Sequence, residues 1–183
     1  MQTAYSDSNQ EFSDAAHMAA RSLIYPILFN CEPQKIQFKS VSVSDGGANA
    51  ILDGEMGIDR IMRIHVNGLR QPVEHTIQER FRKPVFAQFR DITVTEWNHS
   101  SNLPSELYKI KSSLFVYGYF NPVSLSFGEV VAVDTAKLML MITRGSIAFN
   151  VQYNPRSKQD FVCLTFNVLH DHGLILFHHR ADS

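Results

Sequence analysis

The sequence predicts a mixed fold of the α/β (α+β) class, in which a mixed β-sheet is flanked by helices. Apolar residues recur at helical spacing near the start of the chain and alternate at strand spacing through much of the rest. Of the 183 residues, 44% are hydrophobic and 19% are charged, so the chain can bury a core. We therefore expect a single domain over residues 1–183.

The first predicted element is a helix from Glu11 to Leu28. Its apolar residues stand three or four positions apart: Phe12, Ala16, Ala19, Leu23 and Ile27. Ser8 or Asn9 is the expected N-cap. Pro26 should kink or end the helix, because proline lacks the backbone N–H that the helix requires.

Four strands are predicted to follow this helix. They cover residues 35–43, 58–66, 75–82 and 89–97, and a Gly-rich loop at 45–47 follows the first of them. Asn67-Gly68 is a strong hairpin-turn signal, so we expect the second and third strands to pair. Val41 and Val43 extend the first strand past a break in the alternation, which indicates a bulge.

The second half of the chain begins with a predicted helix over residues 103–113, where Pro104 suits a first turn. Residues 114–120 are predicted to form a buried strand. The segment 123–144 is ambiguous, since its valines favour a strand and its later residues a buried helix. Residues 161–168 and 173–178 are predicted as a final pair of strands. The C-terminal strands and helix would complete the sheet.

Asp59, Gln78 and Arg80 form the pattern that suggests chemistry. Asp59 opens the second strand, whereas Gln78 and Arg80 lie two residues apart on the third and so project from the same face. If these strands pair, the Asp59 carboxylate lies near Gln78. A carboxylate, an amide oxygen and a fixed cation on one face suit a hard divalent ion and a phosphate.

At these residues the sequence resembles the PD-(D/E)xK, or restriction-endonuclease-like, nuclease superfamily. That superfamily has a helix, a mixed sheet, a second helix and a further strand, with an Asp opening its second strand and an acid-x-Lys on its third. Here Gly57-Ile58-Asp59 and Gln78-Glu79-Arg80 stand at those places. The resemblance covers a core of about residues 11–120.

The resemblance implies a metal-dependent nuclease that hydrolyses phosphodiester bonds in nucleic acid, with DNA the expected substrate. It assigns Asp59, Gln78 and Glu11 as ligands of Mg²⁺ or Mn²⁺, with Asp14 a second choice for Glu11, and places Arg80 on the phosphate. Gln78 departs from the pattern because it is neutral.

Two further features of the motif bear on activity. Arg80 stays protonated and so cannot serve as a general base. Strand alternation also places Glu79 on the opposite face. The alternative interpretation is a catalytically weakened nuclease-fold protein that acts as a nucleic-acid-binding or regulatory module. A third is a structural or interaction protein whose likeness to the superfamily is accidental.

A local excess of basic residues interrupts an almost neutral chain, whose net charge is −1. The excess comprises Arg63, Arg70, Arg80, Arg82, Lys83 and Arg90, against Glu74 and Glu79 in the same stretch. We expect Arg63, Arg82, Lys83 and Arg90 to contact nucleic acid, because arginine suits phosphate recognition. The other interpretation is that these residues solvate an exposed edge or pair with nearby acids.

The sequence also bears on location and partners. It contains no apolar run near the roughly 18 residues of a membrane span and shows no secretory signal pattern at its start. We expect a cytoplasmic protein (in the host cytoplasm if virus-encoded) with no membrane partner. A homodimer would suit cleavage of a duplex. Cys31 and Cys163 are expected to be reduced thiols.

Overall fold

The structure is a computed structural model that describes residues 4–41 and 46–181, with side chains from residue 8 onward. Its α-helices are α1 (Ala4–Leu23), α2 (Tyr25–Leu28), α3 (Gly47–Gly54), α4 (Thr135–Thr143) and α5 (Phe166–Asp171). The strands are β1 (Ile36–Ser40), β2 (Arg60–Ile64), β3 (Val73–Arg82), β4 (Asp91–Asn98), β5 (Leu103–Pro104), β6 (Leu114–Asn121), β7 (Ser126–Asp134), β8 (Asn150–Asn154), β9 (Gln159–Thr165) and β10 (Ile175–Arg180). Short 3₁₀ helices cover Pro33–Lys35, Pro84–Phe89 and Glu106–Tyr108.

These strands form a six-stranded sheet in the order β1-β2-β3-β6-β7-β10 and a four-stranded sheet in the order β5-β4-β9-β8. In the larger sheet β3 and β6 run parallel, while the other neighbours run antiparallel. The larger sheet is therefore mixed, and helices flank it, as the sequence predicted. Among the described residues no helix is long and apolar enough to span a bilayer.

The larger sheet separates two apolar cores, and β6 contributes to both. Leu114 and Val116 face the core shared with α1 and α2, whereas Phe115 and Tyr117 face the core shared with the smaller sheet, α4 and α5. Both faces of β6 are thus buried, which explains its unbroken apolar run. Gly118 has a specific packing reason, since a Cβ there would lie 2.7 Å from a Val130 methyl carbon.

The first helix is longer than predicted. It begins at Ala4, so Ser8 and Asn9 lie inside the helix and do not cap it. The helix ends at Leu23, and Pro26 sits in the first turn of α2, where the missing N–H costs little. The strand that follows is described as far as Ser40, and the predicted bulge residue Val43 lies outside the described residues.

Several other expectations were wrong. The helix over 103–113 is replaced by β5 and a single 3₁₀ turn, and α3 was not foreseen. The fourth predicted strand, β4, pairs with β5 and β9 in the smaller sheet. The C-terminal strands do not pair with each other, because β10 joins the larger sheet and β9 the smaller. The segment 123–144, which the sequence left open between strand and helix, contains β7 followed by α4.

Candidate functional site

Asp59 lies directly before β2, and the backbone ladder fixes its position. Its N–H donates to the Ile77 carbonyl at 2.9 Å, and its own carbonyl accepts from the Val41 N–H at 2.9 Å. Its carboxylate oxygen Oδ2 accepts from the backbone N–H of Glu79 at 2.7 Å. The antiparallel register pairs the next residue, Arg60, with Ile77, and Asp59 and Gln78 line the same cavity. The sequence-based expectation that these two residues are neighbours is therefore confirmed.

Gln78 is only 5% exposed, and its amide nitrogen donates to Glu106 Oε1 at 2.6 Å. Its amide oxygen is buried and has no hydrogen-bond partner. Glu106 also accepts from Arg80 through its other carboxylate oxygen and from the Thr95 hydroxyl at 3.1 Å. Gln78 and Arg80 thus share a face, as predicted, and both converge on Glu106.

Asp59, Gln78 and Glu106 line a cavity of about 350 Å³, called the Asp59 cavity below. Its lining residues are Asp53, Gly54, Gly57, Asp59, Gln78, Ser105, Glu106 and Lys109. It brings together three acidic residues, one unpaired amide oxygen and one lysine. Gly57 has a positive φ of 55°, and a Cβ added there would lie 3.1 Å from the Gln78 amide oxygen. The glycine therefore leaves room for the amide to face this cavity.

Glu79 lies on the other face of β3, as strand alternation predicted. Its carboxylate, 6% exposed, accepts from His17 Nδ1 at 2.9 Å and from the Tyr25 hydroxyl, and lies 3.5 Å from Arg60 Nε. A second cavity of about 210 Å³ on that side is lined by Asp59, Arg60 and Glu79, among others. Asp59 therefore stands between two cavities, and Glu79 is committed to partners within the fold.

Burial raises the pKa of Asp59 to about 6, although the Glu79 N–H acts in the opposite direction. That value includes charge repulsion from the carboxylates of Glu79, Asp53 and Glu106, which also raises the pKa. A buried carboxylate that other carboxylates destabilise is an arrangement that a bound cation would relieve.

The predicted ligand Glu11 is not brought to this site. It is exposed on α1, and the α1 residues that line the smaller cavity beside Asp59 are Gln10 and Ser13. One residue along a helix is a rotation of about 100°, so Glu11 points to a different side from Gln10. The second choice, Asp14, lies 3.9 Å from Arg60 Nη2 and is directed to that arginine.

The predicted nucleic-acid-binding residues do not form one basic surface. Arg63 is paired with Glu74 at 2.6 Å, and Arg90 with Glu129 at 2.9 Å. Arg82 turns inward toward Thr93, which it contacts at 3.0 Å. Lys83 is exposed on the surface. The acids that neutralise Arg80 and Arg90 come from segments distant in sequence, so composition within the Arg-rich stretch did not reveal them.

Sequence reasoning also missed Glu106, Asp53 and Lys109. Glu106 fell within the predicted helix over residues 103–113, yet it stands with Lys109 shortly before β6. Contacts with β4 place Glu106 beside Gln78, since the Ser105 N–H donates to the Glu96 carbonyl and the Thr95 hydroxyl donates to the Glu106 carboxylate. An acid and a lysine three residues apart, just before a buried strand, are the signal that could have identified them.

The oxygen donors of the Asp59 cavity suit the Mg²⁺ or Mn²⁺ that the nuclease resemblance implies, because hard cations prefer carboxylate and amide oxygens. The buried, unpaired amide oxygen of Gln78 is the observation that supports this fit. Within the described ranges no three His, Cys, Asp or Glu side chains are grouped as a complete metal centre. Searches against protein-family models, curated proteins and solved structures found no match to this chain.

Proposed function

We propose that the protein is a divalent-cation-dependent nuclease that hydrolyses phosphodiester bonds, with DNA the expected substrate, in the Asp59 cavity. The observation that carries the proposal is the buried, unpaired amide oxygen of Gln78, in a cavity that also contains the Asp59 and Glu106 carboxylates. An unpaired buried acceptor costs free energy, about 1–3 kcal/mol in proteins, and a ligand at this position would recover it.

Asp59, Glu106 and Gln78 are the residues that would hold the cation. Mg²⁺ is commonly bound through one or two carboxylates, while water and substrate phosphate supply its other ligands, so two carboxylates and an amide oxygen are sufficient. When bound, the ion polarises the phosphate and lowers the pKa of a coordinated water. The Glu79 N–H orients the Asp59 carboxylate, and Arg80 and Thr95 orient that of Glu106.

Two basic side chains, those of Lys109 and Arg80, can act on the phosphate. Lys109 lines the cavity and brings a positive charge to it. Arg80, 30% exposed, reaches the same region through Glu106, and its guanidinium can donate to phosphate oxygens while remaining charged. These residues would bind the substrate and stabilise negative charge that develops on it. Neither role requires Glu11, which the resemblance assigned as a ligand.

The test is cleavage of labelled duplex and single-stranded DNA, and of matching RNA, with Mg²⁺, with Mn²⁺ or with EDTA. We expect Asp59→Asn to reduce the rate at least about a hundredfold, since metal-based charge stabilisation supplies several kcal/mol. Glu11→Gln is the matched control, because it neutralises an acid that lies away from the cavity. Equal residual cleavage by wild type and Asp59→Asn, or cleavage that persists in EDTA, would contradict the proposal.

A second candidate function is a catalytically weakened nuclease-fold protein that binds nucleic acid without cutting it. The observation that favours it is that Glu79 and Glu106 are already paired with Arg60 and Arg80. The double substitution Gln78→Glu with Arg80→Lys restores the acid-x-Lys pattern. Cleavage that appears only in this double variant, with nucleic-acid binding in the wild type, would support the second candidate over the first.

A further inference from the structure

A separate cavity of about 310 Å³ lies on the polar face of the smaller sheet and is called the aromatic pocket below. The lining residues that matter here are Arg82, Phe86, Phe89, Asp91, Tyr153 and Phe161. Ile92 and Val94 on the other face of β4 belong to the apolar core, so the pocket is formed by the face of the sheet that turns away from that core. Its size is at the lower end of small-ligand sites.

The walls of the pocket are flat and partly open to solvent. Phe89 is 58% exposed, and Phe161 is partly exposed. The Arg82 guanidinium carbon lies 4.0 Å from the centroid of the Phe86 ring, in cation–π geometry. Aromatic rings and a planar guanidinium are the surfaces on which planar heterocycles stack. Exposed aromatics around a concave site therefore indicate a planar ligand.

The polar groups of the pocket have bonding capacity left over. Asp91 Oδ1 is buried and has no hydrogen-bond partner. Burial raises the pKa of this carboxyl. Arg82 donates from Nη1, to Thr93 at 3.0 Å and to the Tyr117 hydroxyl at 3.4 Å. A ligand that offers N–H donors to Asp91 and an acceptor to Arg82 would satisfy both.

We propose that the aromatic pocket binds a nucleobase, with guanine preferred. Guanine carries a ring N–H and an amino group side by side, so both can donate to one carboxylate. Its O6 and N7 atoms accept from arginine. Uracil and cytosine offer a smaller stacking surface and fewer donors on one edge, so they should bind more weakly.

The pocket stands next to the Asp59 cavity along the same strands. Arg80 and Arg82 lie two residues apart on one face of β3, which is a step of about 7 Å. Thr95 contacts Glu106 of the Asp59 cavity, and Thr93, two residues earlier on β4, lines the aromatic pocket. One part of this inference rests on the proposed function, namely that the bound base belongs to a nucleotide beside the scissile phosphate. Base binding itself does not depend on that function.

The base could come from a nucleic-acid strand or from a free mononucleotide, and calorimetry on the full chain in EDTA separates the two. The ligands titrated are GMP, AMP and UMP, followed by short oligonucleotides with and without guanine. We expect saturable GMP binding at least about tenfold tighter than UMP binding. An oligonucleotide with guanine that binds tighter than GMP identifies the strand as the source, and equal affinity identifies the mononucleotide. No saturable binding, or equal affinity for GMP and UMP, would overturn the proposal.

Two substitutions test the location of the site. Phe89→Ala removes an exposed stacking ring and Asp91→Asn removes the carboxylate, and each should weaken GMP binding about tenfold. Val85→Ala is the matched control, because Val85 is 66% exposed on the same 3₁₀ helix and does not line the pocket. Equal weakening by Phe89→Ala and Val85→Ala would remove the pocket as the binding site.

Asp59→Asn separates this proposal from the nuclease proposal. The variant should lose cleavage and keep GMP affinity within about twofold of wild type, since it does not change the aromatic pocket. Cleavage in a wild-type protein that binds no base would overturn the base-binding proposal alone. Base binding without any cleavage would sustain it and leave the nuclease proposal unsupported.

Discussion

At the scale of a single residue, Gly57 leaves the space that the Gln78 amide oxygen occupies. Its φ of 55° lies in the left-handed region, and an added Cβ would meet the Gln78 amide oxygen at 3.1 Å and the Ile110 Cα at 3.4 Å. Any other residue would therefore carry both backbone strain and a close contact with a proposed ligand. Because Gly57 also lines the Asp59 cavity, the two effects should appear together in stability and in activity.

We predict that Gly57→Ala lowers the free energy of unfolding by about 1–3 kcal/mol and also reduces cleavage. The matched control is Gly145→Ala, where φ is 63° but an added Cβ meets nothing within 4 Å. Urea denaturation and cleavage assays of both variants measure the difference. The control should share the strain but keep full cleavage. If Gly57→Ala cleaves like wild type, the position of Gln78 does not depend on Gly57.

Individual site residues were predictable where local spacing determines the side-chain direction. The proximity of Asp59 to Gln78 followed from one hairpin, and the separation of Gln78 from Glu79 followed from strand alternation. Glu11 does not line the Asp59 cavity and Glu106 was missed, because the position of each depends on how distant segments pack. No local pattern states that Glu106 faces Gln78 across 28 positions of sequence.

At the scale of elements, Glu79 fastens the N-terminal helices to the larger sheet. The side chains of His17 on α1 and Tyr25 on α2 both form hydrogen bonds with the Glu79 carboxylate. Burial and the Glu79 charge raise the pKa of Tyr25 well above its usual range, so its hydroxyl stays protonated and donates. A buried carboxylate with these partners stabilises helix docking only while the partners remain in place.

We predict that Tyr25→Phe lowers the free energy of unfolding by about 1.5–3 kcal/mol, the usual range for a hydrogen bond to a charged group. Tyr108→Phe is the matched control, since the Tyr108 hydroxyl bonds Glu96 but the residue is 55% exposed. That control should cost less than about 0.5 kcal/mol, as surface changes usually do. Urea titrations compare the variants, and equal losses would show that the Glu79 contact does not fasten the helices.

Elements with a strong internal period were predicted well, and those defined by pairing were not. The first helix, the hairpin of β2 and β3, and the buried β6 all carry their period in consecutive residues. The predicted helix at 103–113 is different. Pro104 pairs with Trp97 on β4, and the Ser105 N–H donates to the Glu96 carbonyl, so strand pairing overrides the helical pattern.

At the scale of the whole molecule, Glu129 links the two sheets. It lies on β7 with a side chain 7% exposed, and it accepts from Arg90, just before β4, and bonds His178 on β10 at 2.8 Å. Burial alone would raise the pKa of Glu129, but the hydrogen bonds from Arg90 and His178 outweigh it, so the pKa is lowered from 4.5. The link therefore depends on an ionised carboxylate.

The lowered pKa predicts how stability changes with pH. Below 4.5 the unfolded chain takes up the proton more readily than the folded chain, so the stabilisation is complete above that pH and is lost as the pH falls through the folded value. We expect Glu129→Gln to cost about 1–3 kcal/mol at pH 7 and to flatten this part of the profile. Urea denaturation between pH 3 and 7 measures both effects.

Glu74→Gln controls for the loss of any glutamate paired with an arginine. Glu74 is paired with Arg63, but its side chain is 51% exposed, so its removal should change the free energy of unfolding by less than about 1 kcal/mol. If Glu129→Gln keeps the wild-type pH profile or costs no more than this control, the carboxylate does not hold the sheets together.

The sequence by itself determined the mixed fold class, the β2–β3 hairpin and the proximity of Asp59 to Gln78, because these depend on periods and turns within a few residues. Only the tertiary structure decided that β4, β8 and β9 form a second sheet and that Glu106 and Lys109 join the Asp59 cavity. It also decided that Arg63, Arg80 and Arg90 are paired with acids. Hydrogen bonding between strands and pairing between charges act through space, and local sequence does not specify which distant segment supplies the partner.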